Sequence, residues 1–274
     1  MSGILYIVST PIGNLEDITL RALRILKEVD LIAAEDTRHT RKLLSHFEIS
    51  KPLISYWGAK EKTKAEEVLR HLRAGKSVAL VTDAGTPGIS DPGEVVIKRA
   101  IEEGISIVPV PGPSALVTAL SVSGISTREF LFIGFLSANP NARKKKLKSL
   151  EYETRTIVFY ESPHRILDTL DDILEILGDR QIALCHELTK LNEEVLRGRV
   201  SEVLEALQER VIAGEYVVVV SGAEDRRLTP EEAVSEVLML MKKGLRRKEA
   251  VKKVSSQYKI SQKELYDLSL KKEG

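Results

Sequence analysis

Residues 77–93 read SVALVTDAGTPGISDPG. Its first five residues form a short apolar run that is typical of a buried strand. The remainder contains three glycines, two prolines and two aspartates. A simple strand-to-helix turn needs about two to four such residues, whereas this segment continues for about a dozen. The excess of glycine, proline and acid predicts a ligand-binding loop directly after a buried strand.

Short apolar runs alternate with helical patterns along most of the chain. This alternation predicts a largely parallel sheet with helices on both faces, and ligands bind such sheets beyond the carboxyl ends of the strands. Any one of the unusual loops is also compatible with plain turn geometry, but six of them at one sheet edge favour a site. They read STPIGN (9–14), AEDTRHTR (34–41), TDAGTPGISDPG (82–93), PVPGPSA (109–115), YESPHR (160–165) and HELTK (186–190).

Changes of pattern divide the chain into three parts. Residues 1–118 are predicted to form an N-terminal α/β domain, residues 119–222 a second α/β domain, and residues 223–274 a helical tail that resembles a helix-turn-helix. From Asp225 onward the tail carries 13 basic and 8 acidic residues, a net charge of +5. Because the whole chain has a net charge of +1, the remainder is about −4. The tail and residues 143–148 are therefore the electropositive regions.

Several classes of site are disfavoured by the sequence. The phosphate-binding pattern GxxxxGK[ST], the dinucleotide pattern GxGxxG and the nucleophile elbow GxSxG are all absent. The single cysteine, Cys185, lies in an apolar run, which favours core packing over catalysis and allows no intrachain disulfide. Paired acids such as Glu35 and Asp36 lack a spacing that fixes a metal, so no metal site is predicted. No apolar run approaches the ~20 residues of a membrane span, and the start lacks the features of a signal peptide, so a cytoplasmic protein is expected.

Long ordered strings of this sequence resemble a known family. They read LYIVSTPIGNLEDITLRALRILKEVDLIAAEDTRHTRKLL (5–44), VTDAGTPGISDPG (81–93), VPVPGPSALVTAL (108–120), FLFIGFL (130–136), FYESPHRI (159–166) and GEYVVVVSG (214–222). Together they resemble the tetrapyrrole-methylase superfamily, the class III methyltransferases that use S-adenosylmethionine. Within that superfamily they are most similar to the ribosomal RNA small subunit methyltransferase I family.

The resemblance implies a fold, a cofactor and a reaction. The expected fold is α/β: two α/β/α domains of the tetrapyrrole-methylase type with S-adenosylmethionine in the cleft between them, plus a small C-terminal helical region, in a homodimer. The expected reaction is methylation of the ribose 2′-oxygen of a decoding-centre cytidine in 16S rRNA of the small ribosomal subunit. A glycine-rich loop suits such a cofactor because the backbone can approach it closely. The cofactor contacts implied are Pro11, Asp83, Gly85, Thr86, Ser114, Ala115, Tyr160, Gly214 and Glu215.

The acceptor chemistry needs further side chains, because a ribose hydroxyl is a poor nucleophile and calls for a base or an orienting group. Candidates at the cleft edge are Asp36, Glu161, Glu187 and Lys190, and the sequence does not single out one base. Phosphates of RNA are attracted by clusters of basic residues, although such clusters are also compatible with an ordinary solvated surface. The RNA-binding candidates are Arg38, Arg41, Lys42, Arg143, Lys144, Lys145, Arg246 and Arg247.

Two other functions remain open at this point. A corrinoid-type or other small-molecule methyltransferase would keep the fold, but it would not need a basic helical tail. A non-catalytic RNA-binding assembly factor would be expected to have a degraded cofactor loop, whereas the loop at residues 81–93 is intact.

Overall fold

The structure is a computed structural model that describes residues 3–57, 61–224, 228–258 and 260–271. Its strands are β1 (Ile4–Val8), β2 (Leu31–Ala34), β3 (Leu53–Ser55), β4 (Val78–Val81), β5 (Ser106–Val110), β6 (Phe130–Phe135), β7 (Thr156–Glu161), β8 (Gln181–His186), β9 (Glu194–Arg199) and β10 (Tyr216–Val220). Its α-helices are α1 (Leu20–Glu28), α2 (Thr37–His46), α3 (Glu61–Arg73), α4 (Glu94–Glu102), α5 (Ala115–Ser123), α6 (Pro140–Lys148), α7 (Ile166–Leu177), α8 (Val200–Gln208), α9 (Pro230–Lys242), α10 (Arg247–Tyr258) and α11 (Gln262–Lys271).

The first sheet has the strand order β3-β2-β4-β1-β5, and all four neighbouring pairs are parallel. Buried side chains of α1 and α2 pack on one face of this sheet, and those of α3 and α4 pack on the other. Strands β2 and β4 are buried on both faces, which explains why their sequences are apolar without alternation. Because the strands are parallel, the loops after β1, β2, β4 and β5 meet at one edge.

The second sheet has the order β6-β7-β10-β8-β9 and is mixed. Only β6 and β7 are parallel, while β10 runs antiparallel to β7 and β8, and β9 runs antiparallel to β8. The parallel arrangement expected from the sequence therefore applies to the first sheet, and strand β9 was not predicted. Tyr216 at the start of β10 pairs with Glu161 and His186 at the ends of β7 and β8. The segment before β10 thus reaches the same edge as the loops after β7 and β8.

Helices cover both faces of the second sheet as well, so the predicted fold of two α/β/α domains is confirmed. The large cluster on one face joins α6, α7 and α8 to the sheet, and the other face is covered by α5. Ala119 and Leu120 of α5 pack against Val158 and Val217. The predicted domain boundary between residues 118 and 119 lies within this helix, which follows the first sheet in sequence but packs on the second.

The tail is helical, as predicted. Helices α9, α10 and α11 pack on one another around Val237, Val254 and Leu265, each of which is fully buried. The charge predicted for the tail includes residues 225–227, 259 and 272–274, which lie outside the described residues. In the described part of the chain, no helix has the length and apolar character needed to cross a membrane.

Candidate active site

A cavity of about 420 Å³, here called the first cavity, lies where the loop edges of the two sheets face each other. Seven of the nine predicted cofactor contacts line it, and the other two, Pro11 and Asp83, line a second cavity described below. Their role as cofactor contacts stays a prediction. The seven that line the first cavity are Gly85, Thr86, Ser114, Ala115, Tyr160, Gly214 and Glu215.

The glycine-rich loop at residues 82–93 is fixed to the loop after β1. Thr10 N donates to the Gly85 carbonyl oxygen at 2.9 Å, and Gly85 N donates to the Thr10 carbonyl oxygen at 3.1 Å. Gly85 makes this two-way contact with a φ of +77°, a conformation that side chains other than glycine adopt at a cost. The hydroxyls of Ser9 and Thr86 lie 2.8 Å apart and form a further link. The glycine-rich wall is therefore a rigid structure rather than a loose turn.

The opposite wall is aromatic and apolar. The rings of Phe135 and Tyr160 meet edge-on with centroids 5.6 Å apart, and burial raises the pKa of Tyr160. Cys185 also lines the first cavity, but its side chain is fully buried in the cluster under α5. Burial raises the pKa of this thiol to about 11, so it stays protonated. The expectation that Cys185 is a core residue is confirmed.

Three carboxyl groups lie near one another on the side of the first sheet. Asp83 Oδ1 accepts from Asp36 N at 3.1 Å, and Asp83 N donates to Glu35 Oε2 at 3.3 Å. Asp91 lines the first cavity, and burial together with the charges of Glu35 and Asp83 raises its pKa to about 7. Sequence reasoning missed Asp91, although it belongs to the glycine-rich loop. Among the described residues, no group of three or more His, Cys, Asp or Glu side chains has an arrangement that fits a metal ion.

A second cavity of about 480 Å³ adjoins the first and shares Ile12, Ala84 and Glu215 with it. The two domains come very close beside it. A Cβ atom on Gly13 would lie 2.4 Å from Lys190 Cγ, which shows that glycine is required where the loop after β1 meets the segment after β8. The second cavity is lined by Pro11, Ile12, Gly13, Leu15, His39, Lys42, Leu43, Asp83, Ala84, Lys190 and Glu215.

Lys190, a predicted catalytic residue, is held in the second cavity by two carboxylates. Its Nζ lies 2.7 Å from Glu187 Oε1 and 3.0 Å from Glu215 Oε2. Burial lowers the pKa of Lys190, but the hydrogen bonds to the two carboxylates outweigh burial, so the net shift is upward. For Glu187, burial raises the pKa, yet the hydrogen bonds from Lys190 and Glu215 N leave it lowered. The pair is therefore an ammonium beside a carboxylate, which suits an orienting group better than a base, and the catalytic role of Lys190 stays a prediction.

Of the other two predicted catalytic residues, Glu161 lines the first cavity but is held by internal partners, and Asp36 is paired with Arg38. Glu161 is 2% exposed and accepts hydrogen bonds from Ser162 N at 2.7 Å and from Thr169 Oγ1 at 2.9 Å. It also forms an ion pair with Arg165, whose Nη2 lies 2.7 Å from Glu161 Oε1. These contacts anchor the start of α7 and argue against a catalytic role. Asp36 lines neither cavity; hydrogen bonds from the Arg38 side chain and backbone lower its pKa to about 2, which makes it a poor base.

The predicted RNA-binding residues differ in accessibility. Lys42 is exposed and lines the second cavity, and Arg38 and Arg41 are exposed on the same helix, with Arg38 paired to Asp36. Arg143 does not have the surface position that its predicted contact with RNA requires, because it is 3% exposed and its Nε lies 2.6 Å from Asp172 Oδ2. Its charge serves an internal ion pair between α6 and α7, and it is not free to meet a phosphate. Lys42 is the one candidate of the eight that lines a cavity. The four not yet described are Lys144 paired with Glu175 and Asp172, Lys145 exposed, Arg246 paired with Glu249, and Arg247 half-buried.

Comparison with known proteins agrees with this architecture. The family model described as tetrapyrrole (corrin/porphyrin) methylases matches residues 4–204. A solved structure, uroporphyrin-III C-methyl transferase from Thermus thermophilus complexed with S-adenyl homocysteine, superposes with a TM-score of 0.57 at 21% identity. The alignment covers 79% of this chain and 97% of that one, so the likeness establishes the fold.

Two relatives are more similar in sequence, and both are named Ribosomal RNA small subunit methyltransferase I. The protein from Halalkalibacterium halodurans is 45% identical, covering 97% of this chain and 94% of its own length. The protein from Thermotoga maritima is 52% identical, covering 81% of this chain and 100% of its own length. The chain therefore belongs to the ribosomal RNA small subunit methyltransferase I family of the tetrapyrrole methylases.

Proposed function

We propose that the protein transfers a methyl group from S-adenosylmethionine to the ribose 2′-oxygen of a decoding-centre cytidine in 16S rRNA, with the small ribosomal subunit as substrate. The observation that carries the proposal is the glycine-walled first cavity between the two domains, in a chain of this family. A fold neighbour complexed with S-adenyl homocysteine supports the choice of cofactor. Such a substrate also supports the expected cytoplasmic location, and the homodimer stays a prediction.

The first cavity fits S-adenosylmethionine in size and in shape. Its volume of about 420 Å³ lies within the usual range of about 300–1,000 Å³ for pockets that hold one small ligand. Two glycines bring backbone close to the space: Gly85 with its φ of +77°, and Gly214, where a Cβ atom would lie 2.6 Å from Glu187 Cδ. A larger residue at Gly85 would strain the backbone, and one at Gly214 would also collide with Glu187.

The donor set of the first cavity also fits this cofactor. Thr86 and Ser114 offer hydroxyls to a ribose or an amino-acid group, while Ile12 and Phe135 offer apolar surface to an adenine ring. The carboxyl of Asp91 favours a cation, because it stands beside two other acids. When bound, S-adenosylmethionine would supply the methyl group from its positively charged sulfur to the hydroxyl oxygen, which leaves neutral S-adenosylhomocysteine, and the hydroxyl proton would pass to solvent.

The acceptor hydroxyl requires orientation, and Lys190 is suited to provide it. An ammonium has three N–H donors, and two of those of Lys190 are taken by Glu187 and Glu215. One donor remains for a neutral oxygen in the second cavity. The two carboxylates also fix the position of the ammonium, which keeps the orientation of its remaining donor constant. Alignment of reacting groups in this way can lower a barrier by several kcal/mol.

We assign RNA docking to exposed basic residues around the cavities and in the tail. On α2 these are Arg38, Arg41 and Lys42, and on α6 Lys145 is exposed. The Thermotoga maritima relative matches along its whole length and leaves about a fifth of this chain without a counterpart. That fraction is similar in length to the tail, so we assign the tail an auxiliary role in docking and the transfer itself to the two α/β domains.

The decisive experiment measures what is methylated. The purified protein is incubated with S-adenosylmethionine carrying a tritiated methyl group and, in parallel, with undermethylated small subunits, naked 16S rRNA or precorrin. We expect transfer to the small subunit above naked RNA, and nuclease digestion followed by mass spectrometry should identify 2′-O-methylcytidine. A methyl group on a base or on another nucleoside would refute the assignment. Transfer to precorrin would favour a small-molecule methyltransferase, and cofactor binding without any transfer would favour an assembly factor.

A further inference from the structure

The second cavity is a separate compartment that adjoins the first. The two cavities have only Ile12, Ala84 and Glu215 in common, and each has a volume sufficient for one small ligand. Any group bound in the second cavity therefore lies against the compartment to which we assign the cofactor. This arrangement suits a two-substrate reaction, in which the acceptor and the donor must be in contact.

The chemistry of its walls distinguishes the second cavity from the first. Lys42 on α2 is exposed, and no carboxylate among the described residues pairs with it. Lys190 stands on the other domain with one N–H donor unassigned. Pro11 and Leu15 contribute apolar surface, and Leu15 is 38% exposed. A phosphate, a sugar hydroxyl and a flat apolar ring would each meet a matching group here.

The size of the second cavity limits what can enter. A volume of about 480 Å³ holds one nucleotide but not a paired helix. The cavity is bounded by α2 and the loop after β1 on one side and by Lys190 and Glu215 on the other, so a ligand is enclosed between the domains. RNA that is read at single nucleotides is usually recognised with the base unstacked, and enzymes that modify one nucleotide extrude it from a folded strand.

We propose that the second cavity is the acceptor subsite and that it receives a single nucleotide turned out of folded RNA. Lys42 meets the phosphate, Pro11 and Leu15 meet the base, and Lys190 donates to the ribose 2′-oxygen beside the shared wall. This inference rests on the proposed function, because it takes the acceptor to be RNA. It adds that the target nucleotide leaves its stack before transfer.

Filling the second cavity tests this directly. Leu15→Trp adds bulk at a wall of the second cavity that the first does not share, and Leu20→Trp is the matched control, because Leu20 is 86% exposed and lines neither cavity. We expect Leu15→Trp to lower methyl transfer to small subunits at least tenfold while its affinity for S-adenosylhomocysteine stays within twofold of the unmodified protein. Leu20→Trp should match the unmodified protein in both measurements. Normal transfer by Leu15→Trp would overturn the subsite.

A charge reversal provides a second variant that does not disturb packing. Lys42→Glu should raise the KM for the small subunit at least fivefold without changing cofactor affinity, whereas Lys98→Glu, at an exposed site on α4 across the sheet, should not. An unchanged KM for Lys42→Glu would remove Lys42 from the subsite even if Leu15→Trp failed to fold.

The turning out of the nucleotide has its own readout. A hairpin RNA with pyrrolocytidine at the paired target position should gain fluorescence when the full-length protein and S-adenosylhomocysteine are added, because unstacking restores emission. The gain should be lost in Leu15→Trp and kept in Leu20→Trp. Binding of the hairpin without a gain would overturn the extrusion. If the unmodified protein transferred no methyl group to RNA at all, the proposed function itself would fail, which is a different outcome from normal transfer by Leu15→Trp.

Discussion

The two cavities share a wall, but the residues that line them differ in chemical character. The first is lined by backbone, hydroxyls, aromatic surface and the carboxyl groups of Asp91, Glu161 and Glu215, and the described residues that line it include no Lys or Arg. Glycines stand at Gly85 and Gly214, where the chain approaches most closely. The second is bounded by ionic side chains, notably Lys42, Lys190 and Asp83. Backbone walls select by shape, because a rigid main chain cannot rearrange around a poorly fitting ligand. Ionic walls select by charge and tolerate a longer, more flexible ligand such as RNA.

The difference follows from which elements meet at each cavity. The first cavity lies between the loop after β4 and the second sheet, and the pair of hydrogen bonds between Thr10 and Gly85 keeps that loop close to the loop after β1. The second cavity lies between α2 and the segment after β8, where side chains project from a helix and a turn. A change in the first cavity should therefore affect cofactor binding, and a change in the second should affect transfer.

The largest effect is expected from replacing a backbone wall. Gly85→Val adds three carbons to the first cavity and forces a β-branched residue to a φ of +77°, so we expect the affinity for S-adenosylhomocysteine to fall by about 100-fold. Gly104→Val is the matched control, because Gly104 has a φ of +65° with no atom near its Cβ position and lines neither cavity. Both variants should lose about 1–2 kcal/mol of stability in urea unfolding, but only Gly85→Val should lose cofactor affinity in calorimetry. If Gly85→Val and Gly104→Val bound S-adenosylhomocysteine with equal affinity, the glycine-rich loop would not be part of the cofactor site.

A smaller effect, on turnover instead of affinity, is expected in the second cavity. Lys190→Met keeps the length of the side chain but removes the ammonium, so the acceptor oxygen loses one charge-assisted hydrogen bond worth about 2 kcal/mol. We expect kcat to fall about thirtyfold, with cofactor affinity within twofold of the unmodified protein. Lys190→Arg should recover part of the loss, and Lys98→Met should have no effect. A fall in cofactor affinity equal to the fall in kcat would mean that cofactor binding and methyl transfer are not separated between the two cavities.

The sequence predicted the first domain better than the second. Strands of the first sheet are apolar runs separated by helices, and this spacing requires parallel crossovers. In the second domain the run YVVVV of β10 is equally apolar, but an apolar run carries no information about its direction, and its antiparallel pairing was missed. Strand β9 reads EVLRGR, and it was not predicted because its polar residues interrupt the apolar run by which the other strands were recognised.

Burial of charge was the other limit on prediction. Arg143 lies in a run of basic residues and was expected at the surface, yet its partner Asp172 is 29 positions away and no local pattern links the two. Glu161 ends strand β7 and Asp83 lies just after β4, so both stand at the same edge of their sheets, but only the packing of α7 gives Glu161 the partner Thr169. The glycine-rich loop was recognised as a site, whereas the role of Asp91 within it depended on the distances to Glu35 and Asp83.

The smallest effect concerns that carboxyl group and tests whether Asp91 is protonated in the folded protein without cofactor. Burial, with the neighbouring Glu35 and Asp83, raises the pKa of Asp91 to about 7 from the ordinary aspartate value of 3.8. Between these two values the folded protein binds a proton that the unfolded chain does not, so the free energy of unfolding falls as pH rises from about 4 to 7 and levels off above. Asp91→Asn has no such proton, so its stability relative to the unmodified protein should rise over the same interval. Because Asp91 is half-exposed, solvent screening reduces the gain to about 1 kcal/mol at about pH 8. Urea unfolding without cofactor at about pH 4, 6 and 8 measures the difference, with Asp171→Asn, at an exposed position on α7, as the control. A difference that did not vary with pH would mean that the folded and unfolded states bind the proton of Asp91 equally, and Asp91 would then add its own negative charge to the first cavity at neutral pH before any cofactor arrives.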